Sequence, residues 1–274
     1  NLCLNRRLMN SISITGKMHP GFDNILTEEA QNFILKLHQK FGGTRTSLLE
    51  KRAEIHSKIL SGEMPGFLKE TESVRNGDWQ ADPVPEDLQD RRCEITGPAE
   101  AKMMINALNS GATIFMADLE DSITPNWYNQ IQGHQNLIDA YERTLEFTSP
   151  EGKEYRLNEE GLATLILRPR GWHLDEKHIL IDGEAACGAL VDAGLYLFHN
   201  IKRTLEKGTG PYFYLPKLEN HLEARLWDEV FTFSEEELGV KTGTIKATVL
   251  LETILAAFEM EEIIYELRRH MSGI

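Results

Sequence analysis

Leu165-Ile-Leu-Arg-Pro-Arg-Gly-Trp-His173 is an apolar run that stops abruptly in two arginines, a proline and a glycine. A buried strand of an α/β protein delivers cationic groups to the rim of a sheet or barrel in this way. Two further apolar runs end in carboxylates instead: Thr113-Ile-Phe-Met-Ala-Asp-Leu-Glu-Asp121 and Ile245-Lys-Ala-Thr-Val-Leu-Leu-Glu252. Arginines and carboxylates gathered at strand ends point to metal-assisted chemistry on an anionic substrate.

Working outward, strand patterns fall at 92–96, 113–119, 164–168, 212–216 and 245–252, with helical stretches at 98–109, 127–145, 184–205, 220–238 and 253–270. Alternation of apolar strands with helices predicts a parallel sheet, either a barrel or a doubly wound sheet. Before it, residues 27–90 read as mainly helical. Thr27-Glu-Glu-Ala-Gln supplies an N-cap and an acidic first turn, Phe33, Ile34, Leu37 and Phe41 follow at helical spacing, and a second helix is predicted from 44 or 46 through 60. Trp79-Gln-Ala-Asp-Pro-Val-Pro85 reads as a connector.

The 274 residues are 41% hydrophobic, enough for a sizeable core, and the net charge of −14 argues against a nucleic-acid footprint. Cys3, Cys93 and Cys187 form no C-x-x-C pair, which predicts neither a disulfide framework nor a structural zinc site. No run reaches the ~20 apolar residues of a membrane span, and the N-terminal Asn1-Leu-Cys-Leu-Asn-Arg-Arg lacks a signal-peptide core.

Arg168 and Arg170 alternate, so a continuing strand would point them the same way. Each suits a carboxylate or enolate oxygen through its planar fork, or a structural ion pair. Glu252, closing the most hydrophobic run, needs a cation: a hard divalent ion or an Arg or Lys. Asp118 and Glu120 share a strand face, whereas Asp121 reads equally as a cap. His173, His178 and His199 have no metal-ligand spacing, and Gly208-Thr-Gly-Pro211 reads as a tight turn rather than a phosphate loop.

The strings Asp90-Arg-Arg-Cys-Glu-Ile-Thr-Gly-Pro98, Phe115-Met-Ala-Asp-Leu-Glu-Asp-Ser122, Arg168-Pro-Arg-Gly-Trp-His173, Gly210-Pro-Tyr-Phe-Tyr-Leu-Pro-Lys217 and Gly243-Thr-Ile-Lys-Ala-Thr-Val-Leu-Leu-Glu-Thr253 together resemble the A-type malate synthase family, from about residue 16 onward. The resemblance implies a TIM (β/α)8-type barrel, incomplete here with about five β/α units over 91–274, preceded by an N-terminal α-helical clasp over 1–90. It implies an acyltransferase of the glyoxylate cycle. Acetyl-CoA and glyoxylate would condense in Claisen fashion, with water, to malate and CoA, using Mg2+. Carried onto this chain, the catalytic arginine is Arg168 and the metal ligand Glu252. Asp118 and Glu120 are expected to hold metal-bound waters, and Ser122 and Arg45 to contact CoA. In the family the second metal ligand and the catalytic base lie further along than Ile274, so the chain alone is expected to make no malate. A truncated fragment that binds ligand or complements another piece is the alternative, and a citrate-lyase-like acyl-CoA lyase a second, against which the helical 16–90 segment weighs. The implied compartment is the cytoplasm in a bacterium and the peroxisome or glyoxysome in a eukaryote.

Overall fold

The computed structural model describes residues 11–274; Cys3 and the reading of the N-terminal segment lie outside the described residues. The central sheet contains β1 (Glu94–Pro98), β2 (Ile114–Asp118), β3 (Thr164–Arg168), β4 (Tyr212–Leu215), β5 (Lys246–Val249) and β6 (Met271–Gly273). All neighbouring pairs are parallel, and the order across the six-stranded sheet is the order along the chain. A doubly wound sheet reverses its order at a switch point. Without a reversal, right-handed crossovers put the connecting helices on one face, which is barrel topology. The sheet also curls. Arg91, just ahead of β1, donates to Thr248 Oγ1 on β5 at 2.8 Å and to the Ser272 carbonyl on β6 at 3.5 Å, so the two sheet ends approach across the concave face.

Strand alternation divides the core. Phe115, Ala117, Leu165, Leu167 and Phe213 face outward and pack with Leu137, Tyr196, Trp227 and Phe231 of the covering helices. Ile114, Ile166 and Tyr212 face inward, where Leu88 from the preceding connector closes the floor. The covering helices are α2 (Ala101–Leu108), α3 (Trp127–Glu142), α4 (Gly188–Glu206), α5 (His221–Leu238) and α6 (Met260–Glu266). Asn126 and Asn220 cap α3 and α5 by accepting from Asn129 N and Glu223 N, and Gly239 at φ 72° ends α5.

The sheet has one strand more than the pattern counted. Met271-Ser-Gly is too short to show periodicity, yet it pairs with β5. The 253–270 stretch breaks into Ile254–Ala257 and α6, and Pro98 ends β1 rather than opening a helix. Residues 184–187, read as helix, form a strand in an antiparallel sheet with Ile12–Ile14 and Asp175–Ile181.

The segment read as two helices is one, α1 (Glu28–Leu60), capped by Thr27. Gly42 and Gly43 do not break it because its buried stripe, Phe33, Ile34, Leu37, His38, Phe41, Leu48 and Arg52, runs on past them. Two glycines cost roughly 1 kcal/mol each, less than such a stripe recovers. Its close packing on α4 is eased by Gly194, where a Cβ would come within 3.1 Å of Leu37 Cδ1 and press on that side chain. Among the described residues no helix is long and apolar enough to cross a membrane.

Two buried histidines join elements and titrate in opposite senses. His38 Nδ1 bonds the Ile34 carbonyl and Nε2 accepts from Cys187 N–H, both at 2.9 Å, tying α1 to the start of α4. Burial, with a smaller push from Arg45 and against the Ile34 bond, drags its pKa to about 4, so it is neutral. His270 lies between Asp228 at 2.8 Å and Glu235 at 3.2 Å. Burial opposes its charge, but the two carboxylates prevail and raise its pKa above the ordinary 6.5. His38 therefore contributes stability above pH 6.5 that drains as pH falls toward about 4. His270 contributes stability fully present below pH 6.5 that is lost as pH rises through its raised value. Thermal melting against pH should show a maximum between these limits. His38→Gln should flatten the acid limb and His270→Gln the alkaline limb; unchanged limbs would contradict both assignments.

Candidate active site at the strand ends

Asp118 and Arg168 are register partners at the ends of β2 and β3. Both point to the concave face, and both are buried. Arg168 Nε donates to Asp118 Oδ1 at 2.7 Å and Nη2 donates to Oδ2, a side-on fork. The Glu120 N–H, the Ser122 N–H and the Ser122 hydroxyl also donate to Asp118, each at 2.7 Å. Burial alone would raise the Asp118 pKa; the Arg168, Ser122 and Glu120 bonds outweigh it and hold the carboxyl below its usual range. Arg168 Nη1 is left facing the rim, 3.4 Å from the half-exposed Asp121 carboxylate.

Glu120 contrasts with its neighbour. Its Oε1 accepts from Gly171 N–H at 2.9 Å, while buried Oε2 has no partner. Burial, reinforced by Asp121 and opposed by the Gly171 bond, raises its pKa to about 7. Arg170 does not join Arg168. The strand ends at Arg168, so alternation stops there. Arg170 pairs with buried Asp192 on α4 through Nε at 2.9 Å and Nη2 at 2.7 Å, and with Glu176 at 2.7 Å, the structural alternative left open above.

Across the rim stands Lys217, which the sequence reading passed over although Leu215-Pro-Lys217 ends an apolar run in a charge as Arg168 does. Its ammonium donates to Asp121 at 2.9 Å and to Glu252 at 3.1 Å, and its backbone N–H donates to Glu252 at 2.8 Å. Lys217 adopts φ 54°, a left-handed conformation that costs a non-glycine residue on the order of 1–3 kcal/mol and needs surrounding contacts to hold it. Lys217 thus links the Asp118–Arg168 side to Glu252. Four carboxylates, Asp118, Glu120, Asp121 and Glu252, meet two cations, Arg168 and Lys217.

Ser122 sits on the exposed lip of this cluster. Arg45 does not enter it: from α1 it donates to the Trp172 carbonyl at 2.7 Å and to Asp175 at 2.8 Å, bracing the chain that leaves β3. Among the described residues no three His, Cys, Asp or Glu side chains converge as a metal cage. Mg2+ does not need one, since it is bound by one or two carboxylates with waters and substrate oxygens. The hard oxygens of Glu252 and Asp121, already bridged by an ammonium, and the orphaned Glu120 Oε2 suit that demand.

Comparison with known proteins agrees across the chain. The malate synthase N-terminal domain model matches residues 10–73, and the malate synthase TIM barrel domain model matches 164–274. A malate synthase from Myxococcus xanthus is 54% identical over 96% of this chain and 48% of its own length. One from Dictyostelium discoideum is 53% identical over 97% of this chain and 49% of its own. A Candida tropicalis relative named as glyoxysomal malate synthase is 47% identical over 97% of this chain and 49% of its own. The chain thus spans about half the length of the curated relatives it matches.

The buried and exposed ion pairs should differ sharply in weight. Asp118→Asn strands a buried guanidinium and should cost about 3–5 kcal/mol in urea unfolding. Lys217→Ala removes half-exposed pairs and should cost no more than about 1 kcal/mol. Equal losses would contradict the burial difference that separates the two sides of the rim.

Proposed function

Since the chain belongs to the malate synthase family, we propose that its rim residues serve the condensation of acetyl-CoA with glyoxylate and water to malate and CoA. The observation that carries this is the Arg168 guanidinium, fixed edge-on by Asp118 at the strand ends with Nη1 turned toward the Asp121–Lys217–Glu252 cluster. In this reading Arg168 is the catalytic residue. A guanidinium already held by a buried carboxylate needs no reorganisation to donate to a glyoxylate oxygen and to meet the negative charge that develops on the enolate oxygen of acetyl-CoA beside it, which is where such a donor is most effective.

Glu252 and Asp121 would hold Mg2+. When bound, the ion supplies Lewis acidity to the glyoxylate aldehyde. Asp118 receives five hydrogen bonds, which fill its oxygens, so its part is to orient Arg168 rather than to hold a metal-bound water. Glu120, with one oxygen unpartnered, is the better acceptor for such a water. The exposed Ser122 at the lip, and Arg45 beyond Trp172, are the contacts expected for CoA. The reading implies the bacterial cytoplasm or the eukaryotic peroxisome or glyoxysome as compartment.

Calorimetric titration of the chain with Mg2+, then with glyoxylate, tests the assignment by binding alone. Glu252→Ala should weaken Mg2+ binding by at least roughly tenfold and glyoxylate binding with it. Arg168→Lys keeps a charge but loses the fork, so Mg2+ affinity should hold while glyoxylate binding falls. Unchanged Mg2+ affinity in Glu252→Ala would return that residue to an ion pair with Lys217. Unchanged glyoxylate binding in Arg168→Lys would remove Arg168 from the substrate.

A further inference from the structure

The contacts that hold Lys217 come from unexpected directions. Its N–H is bound by Glu252 from the end of the next strand, and its carbonyl accepts from Arg52 Nη2 at 2.8 Å. Arg52 lies on α1, 165 residues away in sequence, and is buried. Its other donors are engaged: Nε to Glu223 Oε1 at 2.5 Å, Nη2 also to Glu223 Oε2 at 2.7 Å, and Nη1 3.4 Å from Glu219. Glu223 in turn accepts from Glu219 N–H at 2.9 Å and from the Asn220 amide at 3.2 Å. One rigid guanidinium therefore grips the loop between β4 and α5 at its start, through Lys217, and at its end, through Glu219 and Glu223. Both polar groups of the left-handed Lys217 backbone are held by side chains from elsewhere in the fold.

We infer that Arg52 is a positioning residue for the rim: through the Lys217 carbonyl, the N-terminal helix sets where Lys217 meets Glu252 and Asp121. This rests on the reading of Glu252 and Asp121 as the cation-holding carboxylates, and it assigns the helix a part in building the site besides covering the barrel. A lysine at position 52 keeps the charge and can serve Glu223, but it has no planar fork with which to span Glu223 and the Lys217 carbonyl together.

The test compares the wild-type protein with Arg52→Lys, Arg52→Ala and the control Arg225→Ala, which breaks an α5 surface pair with Glu266. Two quantities are read: hydrogen exchange of the Lys217 amide, and the Mg2+ dissociation constant by calorimetry. Arg52→Lys should remain folded while the Lys217 amide exchanges on the order of five- to tenfold faster, the worth of about one hydrogen bond. Its Mg2+ affinity should fall by roughly tenfold or more, as for other residues that orient a ligand from behind. Arg52→Ala should do both more strongly, and Arg225→Ala neither. Unchanged Lys217 exchange in Arg52→Lys overturns the inference. So does faster exchange spread evenly over α1 and α5, which would mean general loosening. Failure of the wild-type protein to bind Mg2+ would defeat the metal reading instead, and the Lys217 amide would then decide the positioning role by itself.

Discussion

Two opposite charges lie side by side at the ends of adjacent strands, almost out of reach of water: Asp118 on β2 and Arg168 on β3. Burying an ion is costly unless its partner is well placed and its remaining bonds are met. Here strand register meets that condition, because the alternation that sends Leu165 and Leu167 to the helices sends Ile166 and Arg168 inward. A one-residue slip of β3 would turn Arg168 into the apolar layer and leave Asp118 alone. Register, ion pair and site geometry are thus one constraint.

A second set of contacts fastens the N-terminal helix to that frame. Arg45 holds the Trp172 carbonyl, His38 the Cys187 N–H and Arg52 the Lys217 carbonyl. Arg45 and Arg52 grip backbone beyond the ends of β3 and β4, and His38 grips the last residue of the 184–187 strand, where α4 begins. The barrel strands fix where Arg168 and Glu252 begin, and α1 fixes the turns that follow.

Much of this was legible in the residues. Apolar runs ending in charge located β2, β3 and β5 and drew attention to Arg168, Asp118 and Glu252, because a buried parallel strand leaves few other readings. Lys217 was not singled out as a site residue although it ends such a run, since a lone lysine after a proline has no ligand or catalytic spacing of its own. The Asp175–Ile181 strand begins with charged residues and shows no clean alternation. Arg170 would lie beside Arg168 only if the strand continued; it ends at Arg168, and the pairing with Asp192 depends on how α4 packs against the chain that follows, which no local pattern reveals. Residues 28–60 read as two helices, one on each side of Gly42-Gly43, because helix propensity is local, whereas the stripe that keeps α1 intact is buried by α4 and α5.

The central claim is that Asp118 fixes Arg168 so that its remaining nitrogen and the Glu252 carboxylate face one ligand. A crystal structure of the protein soaked with Mg2+ and glyoxylate tests it most directly. The account predicts a cation on Glu252, a glyoxylate oxygen within hydrogen-bond distance of Arg168 Nη1, and the Asp118–Arg168 fork unchanged. Ligand density away from the strand ends, or an Arg168 that leaves Asp118 to reach its ligand, would contradict it.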